Sequence, residues 1–105
     1  MEHGEVWWAR FRPPMGRRPV FVLTRSGVIP YLTHVTIAPC TRSGRPIPTH
    51  VRVTQQEGMP TDSVVNVDNI QTVDKNLLEE KIVRLRHEKM EEIFAAIRVA
   101  FDMPR

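Results

Sequence analysis

The 105-residue chain is expected to fold as a mainly β domain, a small, strongly curved antiparallel sheet or partly closed barrel carrying one C-terminal α-helix. Three observations lead there. Short runs rich in Val, Ile, Thr and aromatic residues, each bounded by Pro or Gly, recur through the first two-thirds. After Leu85 the apolar residues change to three- and four-residue steps. The length, with 41% hydrophobic residues, suits one domain over residues 1–105 with a core of moderate size.

In the first strand Trp7, Ala9 and Phe11 alternate with Val6, Trp8 and Arg10, the period of a half-buried strand. Trp7 is expected in the core and Trp8 on the opposite face. Arg12-Pro13-Pro14-Met15-Gly16 ends the strand, because two prolines remove ladder donors and fix φ. Pro19 to Leu23 is a second strand, apolar on both faces. Ser26-Gly27 and Pro30 turn the chain. His34 to Ala38 is a third strand, expected to stop at Pro39, and residues 41–48 are a loop. His50 to Thr54 is a fourth strand and Ser63 to Ile70 a fifth. A single helical turn at Asp74 to Leu78 precedes a short sixth strand, Lys81 to Leu85. Met90, Ile93, Phe94, Ile97 and Phe101 then mark the buried stripe of one amphipathic helix of about 15 residues, most simply a lid on the barrel. No acid or Ser stands at its start, only Arg86-His87, so little capping is expected there.

Charge is distributed unevenly. From Val6 to Gln56 there are eight arginines, no lysine, and no Asp or Glu. Residues 57–105 carry ten acidic and seven basic groups. Guanidinium binds phosphate with two parallel hydrogen bonds and stays charged at any cellular pH, so the N-terminal half reads as a surface for a polyanion. Arg12, Arg17, Arg18, Arg42 and Arg45 lie in the loops 12–18 and 41–48, which form a basic groove if they share a side of the sheet. Cys40 is the only cysteine, which precludes an intrachain disulfide and fits a reducing cytosol. With no basic and apolar leader at the N-terminus and no long apolar run, a cytoplasmic chain that does not enter a membrane is expected.

Gly4-Glu5-Val6-Trp7, Arg17-Arg18-Pro19-Val20, Pro39-Cys40-Thr41, Asp62 to Val65 with Ile70 to Lys75, and Lys81 to Leu85 occur in one order and spacing. Together they resemble the MazF/PemK (Kid-like) toxins of bacterial toxin–antitoxin systems, from about Gly4 to Phe101. The resemblance implies an SH3-like barrel, usually a homodimer. It implies a metal-independent endoribonuclease that cuts single-stranded RNA and is held by a cognate antitoxin, whose C-terminal segment occupies the RNA groove. The family's catalytic arginine and threonine correspond to Arg18 and Thr41. Asn69 and Gln71 stand where relatives often carry other polar residues, which implies an altered RNA sequence preference. No cofactor is implied. Two rival readings stand beside it. A CcdB-type gyrase inhibitor shares the barrel, but its Trp-Gly-Ile tail is not found in Phe101-Asp102-Met103-Pro104-Arg105. A non-catalytic single-strand-binding barrel needs only the arginines.

The chemistry is consistent with those two side chains. RNA carries its own nucleophile, the 2′-hydroxyl. A guanidinium aimed at the phosphoryl oxygens stabilises the charge that develops in the transition state, and a threonine hydroxyl can hold the phosphate in line. Equally, an arginine at a strand start is often merely solvated and a threonine after a strand often bonds its own backbone. Family members often place a carboxylate in the first loop. Here Arg12 to Arg17 has none, which leaves His34 and His50 as groups that titrate near neutrality. Cys40 has no neighbouring His or Lys and reads as a packed thiol.

Overall fold

A computed structural model describes residues 1–104 of the chain; Arg105 lies outside the described residues. Seven strands and one α-helix follow in the order β1 (Glu5–Arg10), β2 (Arg17–Val22), β3 (His34–Thr41), β4 (His50–Val53), β5 (Ser63–Asn66), β6 (Gln71–Asp74), β7 (Leu78–Arg84) and α1 (His87–Ala100). All pairings are antiparallel. The strands run β4-β5-β3-β2-β1-β7 across the sheet, with β6 added to β3.

The β1–β2 hairpin closes through Phe11 N–H to Gly16 O (2.9 Å), with Gly16 at φ +66°. That left-handed conformation is open to Gly at no steric cost. The hairpin register pairs Trp8 with Pro19 and Ala9 with Arg18.

β2 is apolar on both faces because both faces are buried. Phe21 joins Val6, Ala38, Cys40, Val51, Val53 and Val65 in a core closed by Ile93 and Ala96 of α1. Val20 and Val22 join Ala9, Val35, Ile37, Val73 and Leu78 in a second core on the other face, with Ile29 of the 3₁₀ segment Ser26–Tyr31. The sheet therefore wraps around one core while the helix covers the other. Burying the larger aliphatic side chains of these cores stabilises the fold by about 1.5–3 kcal/mol each.

The structure departs from the expected elements at four places. β3 does not stop at Pro39 but runs to Thr41. Thr36 O accepts from Leu23 N–H, so alternation turns position 39 toward the opposite edge. There the β6 ladder has ended at Ile37 and the β5 ladder begins at Cys40, so no partner needs a donor from Pro39. The expected fifth strand, Ser63 to Ile70, stops at Asn66, where a 3₁₀ turn at Val67–Asn69 follows, capped by Asn66 accepting from Asp68 N–H, and a further strand, β6, forms beyond it at Gln71–Asp74. β7 begins at Leu78, before the expected Lys81. Phe101, expected in the buried stripe, is 57% exposed and lies just past the end of the helix at Ala100. The start of α1 has no side-chain cap, as Arg86-His87 predicts.

Candidate active site

Arg18 and Thr41 meet through register. β2 pairs with β3 at Val22↔Ile37, Phe21↔Ala38 and Val20↔Pro39. Continued by two residues, that register sets Arg18 across from Thr41, and directly opposed residues have neighbouring side chains. Both line a groove of about 490 Å³ with Trp8, Arg17 and Ser43. Both also line an adjoining groove of about 380 Å³ with His50, Asn66, Asn69 and Gln71. With Met15, Cys40 and Ser43, the pair stands between an aromatic, cationic compartment and a compartment of amides and imidazole.

The Arg18 guanidinium is anchored at one end only. Its Nε–H donates to Met15 O at 3.0 Å, and among the described residues no carboxylate lies within ion-pair distance of it. Both terminal nitrogens remain free to fork onto a phosphate. Thr41 Oγ1 accepts from Ser43 N–H at 3.3 Å and lies 3.1 Å from Ser43 Oγ. The turn-forming role of this hydroxyl is therefore real, and it coexists with a place in the groove. An oxygen already accepting from the backbone keeps its proton to donate.

The acid-free stretch of sequence is not acid-free in space. Arg17 pairs with Glu80 at 3.1 Å and Glu79 at 3.7 Å, and Arg10 pairs with Glu79 at 3.1 Å. Arg52 pairs with Asp62 at 3.4 Å. Arg17 also lies 4.5 Å above the Trp8 ring. Arg42 lines the first compartment. Arg12 and Arg45 do not line either compartment, so the basic groove is narrower than the two loops imply. Asn69 and Gln71 do line the second, beside Arg18 and Thr41.

The histidines separate cleanly. His34 opens β3, whose other end carries Thr41, a span of about 23 Å at a strand's rise per residue. His50 lines the amide compartment, and its Nδ1 accepts the Arg45 backbone N–H at 2.9 Å. That bond requires a bare Nδ1 and puts the proton of the neutral ring on Nε2. His50 thus presents a donor, not a base. His3 donates through the other nitrogen, Nδ1, to Leu23 O at 2.8 Å, and stacks on Phe94. His3 and His87 line a separate recess beside α1.

Cys40 is buried, and burial pushes its thiol up to about 12. It packs in the core and is inert at neutral pH. Trp7 is only half-buried, its Nε1–H donating to Glu5 Oε1 at 3.0 Å. Among the described residues no three His, Cys, Asp or Glu side chains are grouped to hold a metal.

Sequence reasoning missed Ser43 and Asn66. Ser43 is ordinary loop chemistry until its hydroxyl is seen against Thr41. Asn66 hides inside what reads as a continuous strand, and only the break after it turns its side chain to a purpose.

The family model for the PemK-like, MazF-like toxins of type II toxin–antitoxin systems matches residues 2–101. The chain belongs to this family. A relative from Mycobacterium tuberculosis, "Probable endoribonuclease MazF5", is 37% identical over 103 residues, covering 97% of this chain and 94% of its own. The solved structure of the M. tuberculosis toxin MazF-mt6 superposes with a TM-score of 0.88 at 36% identity, covering 96% of this chain and 99% of its own. An endoribonuclease solved with its cognate antitoxin, from a mycobacterial species, superposes at a TM-score of 0.86. It covers 100% of this chain and 98% of its own, and at 24% identity that likeness speaks to the fold alone. Membership of the PemK/MazF toxins accounts for the mainly β fold with its terminal helix.

Proposed function

We propose that this PemK/MazF toxin is an endoribonuclease that cleaves single-stranded RNA in the cytoplasm, with Arg18 and Thr41 as its catalytic residues. The observation that carries the reading is the meeting of an unpaired guanidinium and an adjacent hydroxyl in one groove. Relatives named as endoribonucleases support the activity.

The RNA backbone lies across the wall between the compartments. Its 2′-oxygen attacks the adjacent phosphorus, forming the 2′-O–P bond and a cyclic 2′,3′-phosphate. The P–O5′ bond breaks, the 2′ proton passes to solvent, and the departing 5′-oxygen takes a proton from water. The Arg18 guanidinium binds the non-bridging oxygens as charge builds on them. Thr41 donates its hydroxyl to a phosphoryl oxygen and fixes the line of attack. The nucleophile is the substrate's own, so the reaction runs without a metal.

A cognate antitoxin occupies the same groove, in keeping with membership of the toxins of type II toxin–antitoxin systems. The active unit is a homodimer. Arg42 and Arg17 contact RNA phosphates, and Asn69 and Gln71 contact base edges. Arg12 and Arg45 meet the strand outside the groove.

The test is cleavage of labelled mixed single-stranded RNA. Arg18→Ala is expected to lower the rate by about two to three orders of magnitude with the fold retained. Thr41→Ala is expected to lower it as well. A substrate with 2′-deoxyribose at the cut site should be resistant, and excess chelator should leave the rate unchanged. Wild-type rates in both variants would remove the site assignment.

A further inference from the structure

His50 and Asn66 are directly opposed on β4 and β5 and line the same compartment. Each carries one acceptor atom, and in each a backbone amide engages it: the single lone pair of His50 Nδ1 is used up, and Asn66 Oδ1 is turned toward its amide donor. The Arg45 N–H donates to His50 Nδ1 at 2.9 Å. The Asp68 N–H donates to Asn66 Oδ1 at 3.0 Å. Neither ring nor amide can flip without orphaning a backbone donor. What remains facing outward is Nε2–H on His50 and Nδ2–H₂ on Asn66, two donors side by side. Asn69 and Gln71, in the same compartment, are under no such restraint and can present either end of their amides.

Surrounding bonds hold this pair rigid. His50 N–H donates to Ile47 O, and Ile47 N–H donates to Arg45 O, which closes residues 45–50 into a tight turn. Thr49 Oγ1–H donates to Asp68 Oδ2 at 2.6 Å, tying that turn to the 3₁₀ segment that caps on Asn66. Opposed residues on paired strands have Cβ atoms about 5 Å apart, which suits two hydrogen bonds to one base.

We propose that His50 and Asn66 form a fixed double-donor reader in the RNA groove, selecting a base edge with two adjacent acceptors. Cytosine offers one through N3 and O2, and guanine another through N7 and O6. Uracil places a donor, N3–H, between its two carbonyls. Adenine sets its N6 amino group beside N7. At this subsite C or G is therefore accepted, and U or A sets a donor against a donor. The inference rests on the proposed RNA-cleaving function and names the base preference of that site.

Binding of short oligoribonucleotides tests it without knowledge of the cut sequence. Oligo(rC) is expected to bind the wild-type toxin about tenfold tighter than oligo(rU) or oligo(rA), the lower range for one good bidentate base contact. Asn66→Asp keeps an oxygen for the Asp68 amide and replaces the outward donor by an acceptor. It should erase the preference for oligo(rC) while thermal unfolding stays near wild type. His50→Gln should weaken the same preference. Equal wild-type binding of oligo(rC) and oligo(rU), or an unchanged preference in Asn66→Asp, overturns the reader. Cleavage of mixed RNA is scored separately. A toxin that cuts RNA yet binds the oligomers equally retains the proposed function and loses the reader. One that prefers oligo(rC) and cuts nothing retains the reader and loses the function.

Discussion

Arg17 and Arg18 are neighbours in the chain with opposite surroundings. Arg17 is held between Glu79, Glu80 and the Trp8 ring, whereas Arg18 is tethered through Nε to one carbonyl and otherwise free. The two are therefore not interchangeable. Arg17→Ala is expected to change single-turnover cleavage less than tenfold, against the hundredfold or more expected of Arg18→Ala. Arg18→Lys keeps the charge and loses the fork, and should recover little of the rate. Quench-flow or gel assays of both variants on one RNA check the ordering. Cys40, adjacent to Thr41, gives a second residue-scale prediction. With its thiol pushed up to about 12 by burial, it should resist iodoacetamide at pH 8 in the native protein and react at once in denaturant. Mass spectrometry after a short exposure reads the difference.

At the scale of elements, the β3–β4 loop depends on one glycine. A Cβ on Gly44 would lie 2.3 Å from Val64 Cγ1, so the loop rests directly on β5. Gly44→Ala should displace the loop that carries Arg42 and Ser43 and lower cleavage. Gly44→Ala combined with Val64→Ala should recover part of the loss, which a double-mutant cycle of cleavage rates measures. The first strand is tied at its start by Glu5, which is buried and accepts from Glu2 N–H (2.8 Å) and Trp7 Nε1–H (3.0 Å) and pairs with Lys81 of β7 (3.1 Å). Burial pushes this carboxyl up, but the Trp7, Glu2 and Lys81 donors outweigh it and hold the group below its ordinary value of 4.5. A depressed value means stability that is present above 4.5 and lost as pH falls through the lower folded value. Chemical denaturation at stepped acidic pH should show that loss in the wild type and a shallower one in Glu5→Gln.

Across the whole molecule, the acidic C-terminal half neutralises part of the arginine-rich half. Arg10, Arg17 and Arg52 find carboxylates on β7 and at Asp62, while Arg12, Arg18, Arg25, Arg42 and Arg45 find none among the described residues. If the five assigned to RNA, Arg12, Arg17, Arg18, Arg42 and Arg45, engage phosphates, log affinity for single-stranded RNA should fall with log salt at a slope of about −3 to −4, since each contact on a single strand contributes about −0.7. A slope near −6 would mean that all eight contribute. Fluorescence anisotropy across a salt series distinguishes the two.

The order of elements, the terminal helix and the two-faced burial of β2 were legible in the residues, because apolar period and proline placement act locally. So were the candidates Arg18, Thr41, Asn69 and Gln71, carried by family motifs. The run of β3 through Pro39, the stop of β5 at Asn66 with β6 added beyond it, and the pairing of Arg17 with Glu79 and Glu80 were not. Each depends on which edge of which strand a distant segment occupies, and no local pattern encodes that. The same holds for the double donor of His50 and Asn66, since the direction of an imidazole or amide is set by the backbone amide that happens to face it. Local chemistry determined what each segment could be. Register across the sheet decided which side chains meet, because a shift of one residue in the β2–β3 ladder would turn Arg18 and Thr41 to opposite faces.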